Sequence, residues 1–342
     1  MHSASDEIRA AIVAAGGAIR FDEFMRIALY GEHGFYTTSG QAGRRGDFIT
    51  SPEVGPLFGA VVARWIEEEW RRLGEPGDFT IVEGGAGPGT LARAVLAAAP
   101  RWRDHYLAVE ASEQQRRQHP SGVQSLPGVQ DVGEISGVVI ANELLDNLPF
   151  RLAVFDGGWR EVMVSLGRGS ELEEQAVAAD PAWGWLPTRA THGARLPIQD
   201  HAAAWVAAAR RSLSHGSVVV FDYCTPRTAT LAGVPWRDWL RTYRGHGRGQ
   251  HYLSEPGSQD ITAQVCLDQL PSPIAVESQS DFLRRSGIDE LVDVGQRAWA
   301  TAAAQPDVAA MTMRSRTREA EALLDPLGLG AFTVASWPPA AD

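Results

Sequence analysis

The stretch Ile81-Val82-Glu83-Gly84-Gly85-Ala86-Gly87-Pro88-Gly89-Thr90 places a glycine-rich turn between an apolar run and a segment of helical spacing. Glycine lacks a β-carbon, so a ligand can lie against the backbone of such a turn and meet the N–H groups of the helix start that follows. Pro88 suits the first turn of that helix, where a missing N–H costs nothing. The order G-x-G-x-G departs from the G-x-G-x-x-G fingerprint of dinucleotide sites. Glu83 sharpens the reading. It ends the strand, where a carboxylate orients the positively charged amino group of S-adenosylmethionine (SAM) and repels a dinucleotide diphosphate. Glu110 ends the next strand at the spacing at which an acidic residue takes two ribose hydroxyls.

Outward from this turn, strands and helices alternate. Strands are expected at 79–83, 106–110, 123–126 and 137–141, with helices at 88–98 and from Ser112. Such alternation means βαβ units and a parallel sheet. Short alternating segments around Gly157-Gly158 predict an inserted hairpin over 151–166. A helix over 199–213 returns the chain to an apolar strand at 217–223. The polar stretch 225–259 reads as a second insertion, and 260–270, 274–288 and 331–337 supply closing strands and two helices. Upstream, apolar residues at helical spacing predict two short helices broken at Gly16-Gly17 and a longer one over 56–73, stopped by Gly74. Between them, 30–52 reads as a long ordered loop, a kind of segment that usually carries function.

Composition excludes several chemistries. All 31 basic residues are arginine. Without lysine there is no Schiff base to pyridoxal phosphate and no Walker-type phosphate-binding lysine. Cys224 and Cys266 stand alone, without the ligand count a zinc site needs, and read as structural free thiols. The net charge of −11 opposes a phosphate backbone, so no nucleic-acid partner is expected; 237–248 is the one basic candidate. No apolar run approaches the roughly 20 residues of a membrane helix, and the first 20 residues lack signal-peptide features. These features predict a cytoplasmic protein with no membrane partner.

A second motif, Asn142-Glu143-Leu144-Leu145-Asp146-Asn147-Leu148-Pro149, follows the strand at 137–141 and stands at the sheet's carboxyl edge, where open α/β sheets bind ligands. Asn142 and Glu143 can hold an acceptor nitrogen in line with a methyl group, a task of orientation. Glu143 and Asp146 can also be read as helix-start residues favoured by the dipole. His33, His246 and His251 read as solvated loop histidines, Trp65 and Trp70 as core, and Trp236 and Trp239 as an acceptor groove or an oligomer contact.

The sequence resembles the MidA-like methyltransferases, the family of a mitochondrial complex I assembly factor. The resemblance runs through Gly46-Asp47-Phe48-Ile49-Thr50-Ser51-Pro52-Glu53, Phe58-Gly59, the glycine turn and the 142–149 motif. It continues through Phe221-Asp222-Tyr223, Leu240-Arg241-x-Tyr243-x-x-His246, Pro256-Gly257-Ser258-Gln259-Asp260-Ile261-Thr262, and Phe282-Leu283 before Gly287-Ile288. The family usually reads Glu-Leu-Gly-Pro-Gly-x-Gly-Thr at the turn. Here Gly84, Ala86 and Pro88 fall at its varying positions, while Glu83, Gly85, Gly87, Gly89 and Thr90 match. The resemblance implies SAM binding, a fold of Asp47, Ser51, Pro52 and Glu53 over the donor pocket and, for mitochondrial members, methylation of an arginine in a partner subunit.

The expectation is therefore an α/β protein with a Rossmann-like class I methyltransferase core, a mostly parallel seven-stranded sheet. Residues 1–75 form a helical cap and donor-covering loop, and residues 76–342 form the core, with insertions at about 150–198 and 225–259. The donor site comprises Asp47, Ser51, Pro52, Glu53, Glu83, Gly85, Gly87, Gly89, Thr90, Glu110, Asn142 and Glu143. Asn142, Glu143 and Asp146 are the catalytic candidates, and no metal is expected. A protein substrate is expected, and a homodimer is compatible with the sequence. Two rival classes stay open: a SAM-binding assembly module without turnover, and an NAD(P)-dependent oxidoreductase.

Overall fold

A computed structural model describes residues 3–38, 50–245 and 247–341. Seven strands form the central sheet: β1 (Phe79–Gly84), β2 (Tyr106–Val109), β3 (Gln124–Leu126), β4 (Ile135–Asn142), β5 (Leu213–Asp222), β6 (Ala275–Ser278) and β7 (Thr333–Trp337). Their order is β6-β7-β5-β4-β1-β2-β3. The five strands from β5 to β3 run parallel, and β7 lies antiparallel between β5 and β6. The sheet is the mostly parallel, seven-stranded one expected. The order reverses between β1 and β4, and the crevice at their carboxyl ends is where such sheets take ligands.

The central strands are apolar on both sides because helices cover both faces. Phe58, Val61 and Val62 of the Pro56–Arg72 helix and Leu91 and Val95 of the Thr90–Ala98 helix pack against Ile81, Val138 and Ile140. Ala202 and Val206 of the Asp200–Arg211 helix pack on the opposite face, against Val82, Val139 and Val220. The helix after the glycine turn starts at Thr90 rather than at Pro88, because Gly89 takes the left-handed conformation (φ 83°) and becomes its N-cap. Three helices, not two, fill the C-terminal part: Gln279–Arg285, Ile288–Ala302 and Val308–Leu324. Left-handed Gly287 separates the first two, and the Asp307 side chain caps the third.

The hairpin at Gly157-Gly158 forms as expected from Arg151–Phe155 and Trp159–Leu166, and Leu172–Ala178 and Arg195–Ile198 extend it. The N-terminal segment joins this sheet. Ala18–Arg20, unrecognised in the sequence, pairs with Met163, Val164 and Ser165. Ile8, Phe24 and Met25 from the flanking Ala4–Ala14 and Phe21–Tyr30 helices share its apolar core with Leu152 and Val164. In the second insertion Leu240–Arg244 pairs with Gly247–Arg248 and Asp260–Ala263. Cys224 and Cys266 are free thiols on adjacent short strands.

Candidate active site

A cavity of about 650 Å³ opens at the carboxyl edge of β1, β2 and β4, inside the size range of small-molecule sites. Gly85, Ala86 and Gly87 form one wall. Gly85 (φ 65°) and Gly87 (φ 53°) hold backbone conformations that side chains resist, and a β-carbon at Gly85 would stand 2.8 Å from Leu144 Cδ1. Gly89 is not in the wall; it caps the helix and packs on His119 and Pro120. The turn is braced from below, where His119 Nε2 lies 2.9 Å from the Gly87 carbonyl.

The two predicted strand-end carboxylates both reach this cavity. Glu110 accepts hydrogen bonds from the N–H groups of Gly87 (3.0 Å) and Ser112 (2.8 Å), which fix its orientation. Burial raises its pKa. Glu83 accepts from the Tyr106 hydroxyl at 2.8 Å, and burial pushes it up to about 8. Thr90 donates to Glu53 Oε1 at 2.7 Å, closing the same wall, and Pro52 lines it. Ser51 stays out of the cavity; its hydroxyl donates to Gln279 Oε1 at 3.0 Å. Asp47 lies outside the described residues. Tyr30, Tyr36, Gln115, Val129 and Trp205 also line the cavity. They carry no motif of their own, so sequence reasoning missed them.

Asn142 and Glu143 form the floor. The Asn142 Oδ1 atom is buried without a hydrogen-bond partner among the described residues. A buried acceptor left unpaired marks a place for a donor group absent from the protein itself. The residues therefore fit SAM: a β-carbon-free cradle, an oriented carboxylate for hydroxyls, and acidic and amide oxygens for a cationic ligand.

Glu143 also borders a second cavity of about 140 Å³, so its side chain is a wall between the two. Its φ of 50° is rare outside glycine and asparagine; strain of this kind tends to cluster at functional sites. The Glu143 N–H donates to the Phe221 carbonyl (2.8 Å), and its Oε1 accepts from Asn142 Nδ2 (3.0 Å). Asp146 lines the second cavity and not the first. It is the middle residue of a single three-residue helical turn, Leu145–Asn147, so no long helix dipole explains it or Glu143. Asp222 holds the turn by accepting from the Leu145 and Asp146 N–H groups (2.9 and 3.3 Å).

Sequence reasoning did not assign Asp260, Thr262, Tyr223 or Arg241 a role, yet all four line the second cavity with Trp239. The signal was present only as family echoes scattered over distant segments. Asp260 accepts from the Tyr36 hydroxyl (2.9 Å) and Asn147 Nδ2 (3.0 Å), and the Thr262 hydroxyl donates to Asp146. Burial pushes Glu143 up to about 8 and Asp260 up to about 7, in each case with Asp146 adding repulsion. Asp146 and Asp222 are raised by burial too. Asp146 Oδ1 and Trp239 Nε1 are buried without partners among the described residues. Trp236 lies apart, edge-on to His251 and Tyr252. His33 pairs with Glu7 at 2.6 Å, and His246 lies outside the described residues.

Comparison with known proteins agrees with this geometry. Residues 61–283 match the family model described as "Putative S-adenosyl-L-methionine-dependent methyltransferase". A Burkholderia thailandensis protein crystallised with S-adenosyl-homocysteine superposes with a TM-score of 0.82 at 26% identity, covering 99% of this chain and 92% of that one. The mitochondrial protein arginine methyltransferase NDUFAF7 homolog of Drosophila melanogaster is 28% identical over 305 residues, 77% of this chain and 68% of its own. The human protein arginine methyltransferase NDUFAF7 is 24% identical over 81% of this chain and 72% of its own. These relatives are named as mitochondrial proteins, which overturns the cytoplasmic expectation. That expectation rested on absent signals, and an absent signal does not report a compartment. The chain belongs to this family and is a SAM-dependent methyltransferase.

Proposed function

We propose that this methyltransferase acts on an arginine of a protein partner, taking the methyl donor in the larger cavity and the guanidinium in the smaller one. The observation that carries the proposal is Glu143, which is half-buried, faces both cavities and stands in one acidic cluster with the buried Asp146 and Asp260. Buried carboxylates without a counter-ion are costly unless a cation completes them. A guanidinium is always charged and offers five N–H donors to such a cluster. The relatives named as protein arginine methyltransferases support the same acceptor.

In this reading Glu110 takes the ribose hydroxyls, while Glu83, Glu53 and Asn142 face the cationic methionine end. Gly85, Gly87 and Thr90 form the cradle, and Ser51 with Pro52 supports the cover. SAM supplies an electrophilic methyl carbon on sulfur. Glu143 and Asp146 hold one guanidinium nitrogen toward that carbon, and orientation of this kind contributes much of the rate. The guanidinium must shed a proton as its nitrogen is alkylated. Glu143, whose burial favours the protonated form, is placed to receive it. We also propose that residues 1–75 act as cap and cover for a core spanning 76–342. The test is incubation of the purified protein with SAM and proteins captured from its native host, followed by mass spectrometry. One added methyl group on arginine is expected. Tight SAM binding without transfer to any partner would favour a binding module instead.

A further inference from the structure

The stretch that walls the smaller cavity also carries charge opposite to that of the molecule. Residues 225–249 contain five arginines and one aspartate, in a chain of net charge −11. Arg244 pairs with Glu255. Among the described residues, no carboxylate stands within ion-pair distance of Arg237, Arg241 or Arg248. Ring faces and backbone carbonyls position them, Arg241 donating to the Asp238 carbonyl at 2.8 Å. Arg241 lies over Tyr223 at 5.8 Å and Arg248 over Tyr243 at 6.0 Å, and both rings line the cavity. Arg237 lies over Trp236 at 4.2 Å, and Arg248 donates to the Arg237 carbonyl at 3.1 Å. A stacked guanidinium keeps its N–H edge for a partner. Arg237 and Arg248 are exposed.

The smaller cavity is therefore acidic inside, at Glu143, Asp146 and Asp260, with Arg241 in its wall, Arg248 over the Tyr243 ring that lines it, and Arg237 next along, where its carbonyl accepts from Arg248. We infer that this arginine rim docks an acidic stretch of the acceptor protein beside the arginine that enters the cavity. The inference rests on the guanidinium reading above. A nucleic acid would carry its phosphates past the rim into the negative field of the remaining surface. A short acidic segment meets the rim alone, and its carboxylates match the guanidinium forks.

The test uses the full chain and three labelled peptides, each with one arginine flanked by Asp and Glu, by Ser and Gln, or by Arg-free basic residues. Binding is read by anisotropy with S-adenosyl-homocysteine present, and methylation separately by mass spectrometry. The acidic peptide is expected to bind about tenfold tighter than the neutral one at low salt, with the gap closing at high salt, as for steering by rim charges. In the Arg237→Glu/Arg248→Glu variant the preference should collapse, with KM for the acidic peptide rising and kcat less affected. Equal binding of the acidic and neutral peptides overturns the docking inference. So does competition by single-stranded RNA as strong as that of the acidic peptide. Charge-dependent binding without methylation of any peptide leaves docking standing and removes the arginine-transfer reading.

Discussion

At the residue scale, the proposed mechanism gives the two carboxylate sets different tasks, and their surroundings differ accordingly. Glu110 is pinned by two backbone N–H groups and presents its remaining lone pairs to the donor cavity. Glu110→Ala is expected to weaken SAM binding by about 1.5–3 kcal/mol, the range for a hydrogen bond to a charged group, as read by calorimetry. A lower melting temperature with unchanged SAM affinity would show that Glu110 only braces the turn. Glu143 and Asp146 should respond differently, because Asp146 borders only the smaller cavity. Asp146→Asn should keep SAM affinity within about twofold while methyl transfer falls about 100-fold or more, as when groups matched to the transition state are lost. Glu143→Gln should show the same loss of transfer with a modest effect on SAM. Gln and Asn keep the shape of the two carboxyls without a charge that burial disfavours, so neither should lower the melting temperature. Single-turnover assays at saturating SAM decide, and parental rates in both variants would remove the acceptor clamp.

At the element scale, the sequence shows its strongest signals where one segment suffices. β1, β4 and β5 contain apolar runs such as Val138-Val139-Ile140-Ala141 and Val218-Val219-Val220-Phe221, buried on both faces, so their type was legible. The glycine turn and Glu83 are contiguous, so one segment was enough to point to a wall of the larger cavity. The three-residue strand Ala18–Arg20 has no period to recognise and exists because Met163, Val164 and Ser165 lie beside it. The smaller cavity joins residues 143–146, 223, 239–243 and 260–264, so only tertiary structure assembles it. Another contact of this kind connects the Val308–Leu324 helix to the donor cover. Glu319, buried there, accepts from the Leu57 N–H at 2.8 Å and fills the space beside Gly55. It thereby caps the Pro56–Arg72 helix just after Ser51–Val54, the segment that carries Glu53 to Thr90. Glu319→Ala should cost about 1–3 kcal/mol, the penalty for leaving a buried donor unpaired, and should weaken SAM as well. Denaturant unfolding beside calorimetry checks this. A stability loss with parental SAM affinity would disconnect the Val308–Leu324 helix from the larger cavity.

At the scale of the whole molecule, the ligand-free protein concentrates carboxyls whose pKa values burial has raised: Glu83 and Glu143 to about 8, Asp260 to about 7, and Glu110 in the same direction. A carboxyl with a raised folded-state pKa binds more protons folded than unfolded, so stability falls as pH rises from its ordinary value through the raised one. For this set the window runs from 4.5, the ordinary value of a glutamate here, to about 8. Carboxyls with lowered values, such as Asp22 and Glu174, act in the opposite direction below their ordinary values and leave this window to the buried set. The melting temperature should therefore drop by about 5 °C or more between pH 5 and pH 8, given the usual few degrees per kcal/mol. Methyl transfer should move the other way. The acceptor clamp needs ionised Glu143 and Asp260, so kcat/KM should rise with pH through about 7 to 8. A bound guanidinium favours the ionised clamp, so the kcat profile should have its midpoint at lower pH than the kcat/KM profile. Adding SAM should recover part of the lost melting temperature by mass action. Glu143→Gln should flatten the stability profile, because one titrating group leaves the window. A melting temperature that holds steady or rises from pH 5 to pH 8 would mean that burial does not raise these carboxyls in solution, and the two-cavity mechanism would lose its electrostatic basis.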